Sequence, residues 1–222
     1  MDRYAAVLFD LDGTLCRHEQ AIGPVFHGAF EDIGVEPVGE PADLWGAMRE
    51  ITEFDGETAQ LADGSARVAD DRGRTLDARA WAEAFVARLD WRDVSFLPGA
   101  ERALAAAREN GPVGLLTNGP EPRQSAKLAA LGLDGAFDPV VYAGELDRRK
   151  PHREPFDRAV AALGLSPERA LYVGNSLEHD VDGALDAGLP VAWLDADGDG
   201  PGDRRPTHTL RSVDELATVL ES

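Results

Sequence analysis

The sequence predicts an α/β fold, a doubly wound parallel sheet with a helical domain inserted after its first strand. Two observations favour this class. From residue 96 onward, short apolar segments alternate with amphipathic segments of about ten residues, the pattern of βαβ units and a parallel sheet. A further apolar segment, YAAVLF at 4–9, lies about 80 residues earlier, with no convincing strand between. We therefore expect the first strand to join the sheet across a long insertion.

The first apolar segment has the length and composition of a strand that is buried on both faces. The insertion after it carries apolar residues at helical spacing within 22–34, within 41–54 and within about 77–90. The polar segment 55–77 contains several Gly and Asp residues. It is either a long loop or two short helices with a turn.

The predicted helices after residue 96 stop at glycines in several places, which is typical of helix ends. We place the core domain at 1–15 and 96–222 and the helical domain at 16–95. In chain order, the predicted core elements are helix 98–110, the strand and loop PVGLLTNG, helix 121–131, strand DPVVYAG, helix 153–163, strand RALYVG, helix 177–187, strand PVAWLD, strand THTL and helix SVDELATVLE.

The composition indicates a globular protein, because 43% of the residues are hydrophobic. No run of about 18 apolar residues occurs, so we expect no membrane span. The N-terminal segment, MDRYAAVLFD, has an apolar run that is too short for a signal peptide and is too acidic for one. The single cysteine, Cys16, cannot form an internal disulfide, and we expect a cytoplasmic protein.

The chain is strongly acidic: 22 Lys and Arg stand against 41 Asp and Glu, a formal net charge of −19. This charge repels nucleic-acid polymers and anionic membranes, so we expect neither as a partner. Only two lysines occur, Lys127 and Lys150. An acidic, lysine-poor composition is typical of halophilic proteins; an ordinary acidic protein from a GC-rich genome is the alternative. Because lysine is so rare, Lys150 is a candidate functional residue.

Four short polar stretches follow predicted strands or lie beside them: DLDGTL at 10–15, TNG at 117–119, Lys150 in RRKP, and GNSLEHD at 174–180. Ligands of open α/β sheets bind at the carboxyl ends of the strands, so we expect these stretches to converge. Phosphoryl transfer needs an oxygen nucleophile, a general acid, positive charge and a divalent ion. The carboxylates, hydroxyl and cation of these stretches fit that need.

Asp10 directly ends the first predicted strand, and Asp12 follows two residues later. Two carboxylates in different environments can divide the chemistry. One remains ionised as a nucleophile or metal ligand while the other exchanges its proton. The alternative for the bare pattern DxDG is a turn that caps a helix. The apolar strand directly before it favours the functional interpretation.

FDLDGTL, LLTNG, KP and YVGNSLEHDVDGALDAGLP, in this order, resemble the four signature motifs of the haloacid dehalogenase (HAD) superfamily. The resemblance covers 4–15 and about 96–220, and the inserted helices resemble the type C1 cap of that superfamily. The segment from TNG to KP is similar to its branch of small-molecule phosphatases, subfamily IA. The resemblance implies a Rossmann-like core and Mg²⁺-dependent hydrolysis of a small phosphate monoester, such as a nucleotide, phosphoglycolate, or a sugar or triose phosphate.

The same resemblance implies roles for single residues. Asp10 would be the catalytic nucleophile that forms an aspartyl-phosphate. Asp12 would protonate the leaving oxygen and then activate water for the second step. Thr117 would bind the transferring phosphoryl group together with the Asn118 backbone amide and Gly119.

The positive charge of the site would come from Lys150 and from Mg²⁺. The resemblance implies metal ligands at Asp10, at the Asp12 backbone carbonyl, at Asn175 and at Asp180. The superfamily usually has Asp where Asn175 stands. Since Mg²⁺ prefers charged oxygen donors, we expect a working but weakened metal site.

Other functions are weighed against this one. Superfamily dehalogenases generally lack the second Asp of the first motif, so Asp12 argues against them. Phosphonatases use a cap lysine, and 16–95 contains none. A phosphate-binding or regulatory protein with a weakened metal site stays open, as does a phosphomutase. We expect a small-molecule partner and a monomer or homodimer.

Overall fold

The computed structural model describes residues 4–51 and 56–221. The chain divides into two compact units. The core unit comprises Met1–Glu19 and Trp91–Ser222, and the helical unit comprises Gln20–Asp90.

Eight strands and nine helices are named among the described residues. The strands are β1 (Ala6–Phe9), β2 (Cys16–His18), β3 (Val94–Phe96), β4 (Val113–Thr117), β5 (Val140–Tyr142), β6 (Ala170–Gly174), β7 (Val191–Leu194) and β8 (His208–Leu210). The helices are α1 (Ile22–Asp32), α2 (Pro41–Arg49), α3 (Glu57–Asp71), α4 (Ala78–Ala87), α5 (Ala100–Asn110), α6 (Glu121–Ala130), α7 (Arg153–Leu163), α8 (Gly183–Asp186) and α9 (Leu216–Leu220).

The core unit is built on a six-stranded sheet in the order β5-β4-β1-β6-β7-β8. All five neighbouring pairs in this sheet are parallel. The chain runs outward from β1 through β4 to β5, then returns to the other side of β1 and runs outward from β6 to β8. The predicted doubly wound parallel sheet is therefore confirmed, and its order reverses next to β1. In such sheets the crevice at this reversal binds ligands.

The sheet is buried on both faces, which explains the continuous apolar runs of its strands. Within β1, Val7 and Phe9 pack into one apolar cluster with residues of α5 and α9. Leu8, between them, packs into the opposite cluster with Phe156 of α7. This alternation follows from the two-residue period of a strand. It anchors β1 at the centre of the unit, directly before the stretch that begins at Asp10.

The helical unit has its own apolar core, built from one face of each of its helices. The fully buried indole of Trp81 lies at its centre, with ring centroids 5.4 Å from Phe26, 5.3 Å from Phe30 and 5.2 Å from Phe85. The separations are those of favourable aromatic pairs. The predicted helices at 22–34 and about 77–90 are α1 and α4, and Asp77 caps α4 by accepting from the Ala80 amide at 3.0 Å.

The prediction for 55–77 was wrong, because most of this segment forms the single helix α3. Leu61 and Val68 lie seven residues apart, two helical turns, and are both buried. Gly64, one of the glycines of this segment, lies where an added Cβ would approach Met48 Cγ to 2.8 Å. Glycine here lets α3 pack closely on α2, and this tertiary contact outweighs its low helix propensity.

Two further details differ from the sequence prediction. The helix expected at 41–54 ends at Arg49 as α2, and its last predicted residues, 52–54, lie outside the described residues. The short strands β2 and β3 were not predicted. They pair antiparallel, and both belong to the core unit. The chain therefore passes from one unit to the other near residues 19 and 91, whereas the sequence analysis placed these boundaries at 16 and 95.

The predicted core elements after residue 96 are present with small shifts at their ends. Helices α6 and α7 correspond to 121–131 and 153–163. The helix predicted at 177–187 begins instead as a wider, π-type segment at Leu177–Asp182 and continues as α8. No helix in the described part of the chain has the length and apolar character needed to cross a membrane.

We predict that Trp81→Ala lowers the free energy of unfolding by about 3–5 kcal/mol, because it leaves a cavity at the centre of the helical unit. Trp81→Phe is the matched comparison. It keeps an aromatic ring and removes an indole N–H that has no hydrogen-bond partner among the described residues, so it should cost less. Urea unfolding of both variants measures the difference. Equal losses would contradict the packing role of the ring.

Candidate active site

The four polar stretches predicted from the sequence meet at the carboxyl edge of the sheet. Asp10 follows β1 directly, Thr117 ends β4, and Asn175 follows β6. Because β4 and β6 flank β1, the side chains after these three strands are neighbours. Lys150, from the loop before α7, reaches the same place, with its ammonium 2.8 Å from Asp10 Oδ1.

Lys150 is the centre of the site. Its ammonium is buried and donates to Asp10 Oδ1 at 2.8 Å and to Asp180 Oδ1 at 2.7 Å. The Tyr172 hydroxyl, at 2.9 Å, and the Leu116 carbonyl, at 3.3 Å, are further acceptors. Burial favours the neutral amine, but the two carboxylates outweigh it and raise the pKa of Lys150. The cation therefore joins the loops after β1 and β6 to strand β4.

Asp180 has protein donors on both carboxylate oxygens. Oδ1 accepts from Lys150 Nζ and from the Tyr172 hydroxyl, at 2.7 Å and 2.9 Å. Oδ2 accepts from the backbone amides of Asn175, at 3.1 Å, and Ser176, at 2.8 Å. The sequence predicted a metal ligand at Asp180. That role stays a prediction. In the structure the carboxylate anchors Lys150 and two backbone amides, and coordination of a metal would have to displace one of these donors.

The surroundings of Asp10 strongly perturb the pKa of its carboxyl group. Burial raises the pKa of Asp10 to about 7, in spite of the opposing charge of Lys150, and the nearby charge of Asp180 adds to the rise. Positive charge beside Asp10 would favour its ionised form. A buried carboxylate of this kind, at the edge of the sheet, is typical of functional sites.

Asn175 and Asp10 each have a side-chain oxygen close to the hydroxyl group of Thr14. The Thr14 hydroxyl is 3.3 Å from Asn175 Oδ1 and 3.4 Å from Asp10 Oδ2, and its single proton can serve only one of them. Gly13 makes this approach possible, since a Cβ there would lie 2.5 Å from Asn175 Nδ2. On the other side, the Trp193 indole donates to the Asn175 carbonyl at 2.9 Å. Asn175 is thus held in place by its surroundings.

This oxygen pair is the part of the site that suits a hard cation. Mg²⁺ is commonly held by one or two carboxylates, substrate phosphate and water. The Asp10 carboxylate and the Asn175 amide oxygen are donors of the right kind. Among the described residues, no group of three or more His, Cys, Asp or Glu side chains is arranged to hold a metal ion. These two oxygens are of the kind that Mg²⁺ prefers, but only the Asp10 carboxylate carries a formal negative charge.

Asp12 is held by two residues that the sequence analysis missed. Lys127 Nζ donates to Asp12 Oδ1 at 2.6 Å, and Gln124 Nε2 donates to Asp12 Oδ2 at 2.8 Å. Partial burial opposes ionisation of Asp12, but the Lys127 charge and both hydrogen bonds outweigh it and lower the pKa of this carboxyl. Two sequence signals could have identified Lys127: it is one of two lysines, and it lies on a helix that directly follows TNG.

The TNG stretch contributes one side chain toward the site and uses another to join two loops. Thr117 is buried, and its hydroxyl oxygen accepts from Gln124 Nε2 at 2.6 Å. The Asn118 side chain pairs with the main chain of Lys150, donating to its carbonyl at 3.1 Å and accepting from its amide at 2.9 Å. Gly119 leaves room for Gln124, because a Cβ would lie 2.5 Å from Gln124 Cδ.

Comparisons with known proteins agree with this architecture. A sequence model of the haloacid dehalogenase-like hydrolases matches residues 4–188. The chain is 35% identical over 223 residues to the phosphoglycolate phosphatase of Cereibacter sphaeroides, which covers 96% of each chain. It is 38% identical over 127 residues to the pyrimidine 5'-nucleotidase YjjG of Escherichia coli, but this match covers only 56% of each chain.

A solved structure shares the fold over the whole chain. The magnesium-bound HAD hydrolase YfnB of Bacillus subtilis superposes with a TM-score of 0.80 at 22% identity, covering 99% of this chain and 100% of that one. At this identity the match shows the common fold alone.

We predict that Asp180→Ala lowers the free energy of unfolding by about 3–5 kcal/mol, because it leaves the buried Lys150 ammonium without one of its two carboxylates. Asp182→Ala is the matched control. Its half-exposed pair with Arg204 should contribute less than about 1 kcal/mol. Urea unfolding compares the two variants, and similar losses would contradict the anchoring role of Asp180.

Proposed function

We propose that this chain, which belongs to the family of haloacid dehalogenase-like hydrolases, is a phosphatase. It would hydrolyse a small phosphate monoester through an aspartyl-phosphate on Asp10, with Mg²⁺ as cofactor. The observation that carries this proposal is the pair of unlike carboxylates at one sheet edge. Asp10 is buried against the Lys150 ammonium, whereas Asp12 is 42% exposed beside Lys127. Two such environments suit a nucleophile and a proton-transfer group.

In the first step, Asp10 would attack phosphorus and the ester oxygen would leave. We assign the attack to Asp10 Oδ1, beside Lys150, and the cation to Oδ2, on the side of Asn175. The Lys150 charge would stabilise the negative charge that builds up between nucleophile and phosphoryl group. The Thr117 hydroxyl oxygen accepts from Gln124, so its own proton is available for a phosphoryl oxygen.

Asp12 would serve both steps. As an acid it would give its proton to the leaving alcohol oxygen, and as a base it would then take a proton from the water that attacks the aspartyl-phosphate. The phosphate would leave and Asp10 would be regenerated. The partial exposure of Asp12 supports this role, because the carboxyl must reach both an external alcohol and a water.

The residues that would hold Mg²⁺ are Asp10, the Asp12 backbone carbonyl and Asn175. When bound, Mg²⁺ would supply positive charge to the phosphoryl oxygens and to the Asp10 carboxylate. Asn175 brings an amide where a carboxylate would add a second formal charge, so we expect weak metal binding. This feature favours one second candidate, a protein that binds phosphate without efficient turnover.

The substrate would be a small ester. The relatives of similar sequence act on phosphoglycolate and on pyrimidine nucleotides, which differ greatly in the size of the leaving group. We therefore propose the class of small monoesters and test it with a panel of nucleotides, phosphoglycolate and triose phosphates.

We predict that Asp10→Asn lowers phosphate release by at least about 10³-fold on every ester that the wild type hydrolyses, since it removes the nucleophile. Inorganic phosphate released in the presence of Mg²⁺ is measured. Asp157→Asn, at a half-exposed site on α7, should keep wild-type activity as the control. An Asp10→Asn protein with wild-type turnover would contradict the proposed mechanism.

We also predict that Asn175→Asp lowers the Mg²⁺ concentration for half-maximal activity by about tenfold, because it adds a charged oxygen ligand. Asn110→Asp adds the same charge at the end of α5, on the opposite edge of the sheet, and should leave the Mg²⁺ requirement unchanged. If the wild type is inactive at every Mg²⁺ concentration and Asn175→Asp is active, phosphate binding without turnover becomes the better description.

A further inference from the structure

Both oxygens of Asp12 are held by residues of one helix. Gln124 and Lys127 lie three residues apart on α6, so their side chains extend from the same helix face. Lys127 Nζ binds Asp12 Oδ1 at 2.6 Å and Gln124 Nε2 binds Asp12 Oδ2 at 2.8 Å. Two charge-assisted hydrogen bonds to the two oxygens restrict the rotation of the carboxylate as well as its position.

The Gln124 amide joins Asp12 to Thr117. Its nitrogen donates to Asp12 Oδ2 at 2.8 Å and to Thr117 Oγ1 at 2.6 Å, which uses both of its hydrogens. The reverse orientation would place the amide oxygen against a carboxylate. The distance between Asp12 and the Thr117 hydroxyl is therefore set by one planar group.

The solvent exposure of the Lys127 and Asp12 side chains favours a positioning role for this ion pair over a purely structural one. The Lys127 side chain is 3% exposed, whereas the Asp12 side chain is 42% exposed. The cation is thus enclosed by protein, with its ammonium 5.5 Å from the ring centroid of Trp91. The carboxylate that it holds remains open to a ligand. An ion pair that served packing alone would gain nothing from leaving the acid accessible.

We propose that Lys127 and Gln124 are positioning residues that hold the Asp12 carboxyl in the orientation needed to protonate the leaving group. This inference rests on the proposed function. Neither side chain contacts the reacting atoms; each acts through Asp12. Lys127 secures the oxygen Oδ1, and Gln124 aligns Asp12 with the hydroxyl that binds the phosphoryl group.

If Lys127 and Gln124 position Asp12, the loss of activity caused by removing them should depend on the leaving group of the ester. An alkyl phosphate expels a poor leaving group and needs a well-placed acid. An aryl phosphate such as p-nitrophenyl phosphate expels an acidic phenol and needs hardly any protonation. Loss of the support for Asp12 therefore slows the first step of alkyl esters selectively, while a general loss of structure or of phosphate binding slows the first step of both classes equally.

The test measures kcat and KM of Lys127→Met on p-nitrophenyl phosphate and on the best alkyl ester of the panel. We expect kcat/KM, which reports the step that expels the alcohol, to fall about 10²-fold on the alkyl ester and less than about threefold on the aryl ester. Hydrolysis of the aspartyl-phosphate is common to both esters, so any effect on that step appears in kcat for both. Lys127→Leu, which also lacks a hydrogen-bond donor, carries the same expectation and is the second variant should Lys127→Met fail to fold. Equal losses of kcat/KM on both esters, or no loss, would overturn the inference.

Two controls separate this inference from the proposed function. Arg158→Met removes an exposed cation from α7 and should leave both activities unchanged. Asp12→Asn should show the same selectivity as Lys127→Met. If Asp12→Asn lowers kcat/KM equally on both esters, the proposed role of Asp12 as the acid of the first step fails. If Asp12→Asn is selective and the Lys127 variants are not, the positioning role alone fails.

Discussion

The buried ammonium of Lys150 is the interaction on which the arrangement of the core unit's functional edge depends. A cation enclosed in protein is tolerated only when nearby carboxylates and hydrogen-bond acceptors replace its hydration. Here Asp10 comes from the end of β1 and Asp180 from the segment after β6, and strand β4 adds the Leu116 carbonyl. The ends of the three central strands are therefore joined through a single charge. Because Asp180 also accepts the amides of Asn175 and Ser176, the same interaction orders the loop that carries Asn175.

The carboxyl groups of Asp10 and Asp12 have shifted pKa values of opposite direction, although each is paired with one lysine. Lys150 lies beside an acid that is so deeply buried that desolvation dominates, and the pKa of Asp10 rises to about 7. Lys127 lies beside an acid that is still partly in water, and there its charge prevails and lowers the pKa of Asp12. Lys127 thus favours the ionised form of Asp12, the form that the proposed second step, activation of water, would require. The contrast follows from burial more than from the identity of the neighbours, since each acid has one lysine partner.

Much of the fold and part of the site could be predicted from the sequence, for physical reasons that particular residues illustrate. Apolar runs buried on both faces identify strands such as β1, and a strand followed by DLDGTL locates Asp10 at the sheet edge. The error at α3 arose because several Gly and Asp residues favoured a loop or a turn. The effect of one of them, Gly64, depends on how closely α2 packs, and this is a tertiary property. Gln124 and Tyr172 could not be recognised, because a lone amide in a helix or a lone phenol in a strand carries no local signal. Their roles emerge only when α6 and β6 are brought next to the ends of β1 and β4.

The residues around Asn175 determine how much a neutral amide at this position, in place of a carboxylate, would weaken cation binding. Its side chain is held beside Gly13 and Thr14, so the amide oxygen stays next to Asp10. The nearest acid that could compensate, Asp180, is engaged by Lys150, Tyr172 and two backbone amides. Extra attraction for a cation must then come from the bound phosphoryl group and from the net charge of −19 on the whole chain, which concentrates cations around the protein. The second contribution is screened by salt. For a site with one charged ligand, the Mg²⁺ requirement should therefore rise with ionic strength unless the phosphoryl group supplies most of the attraction.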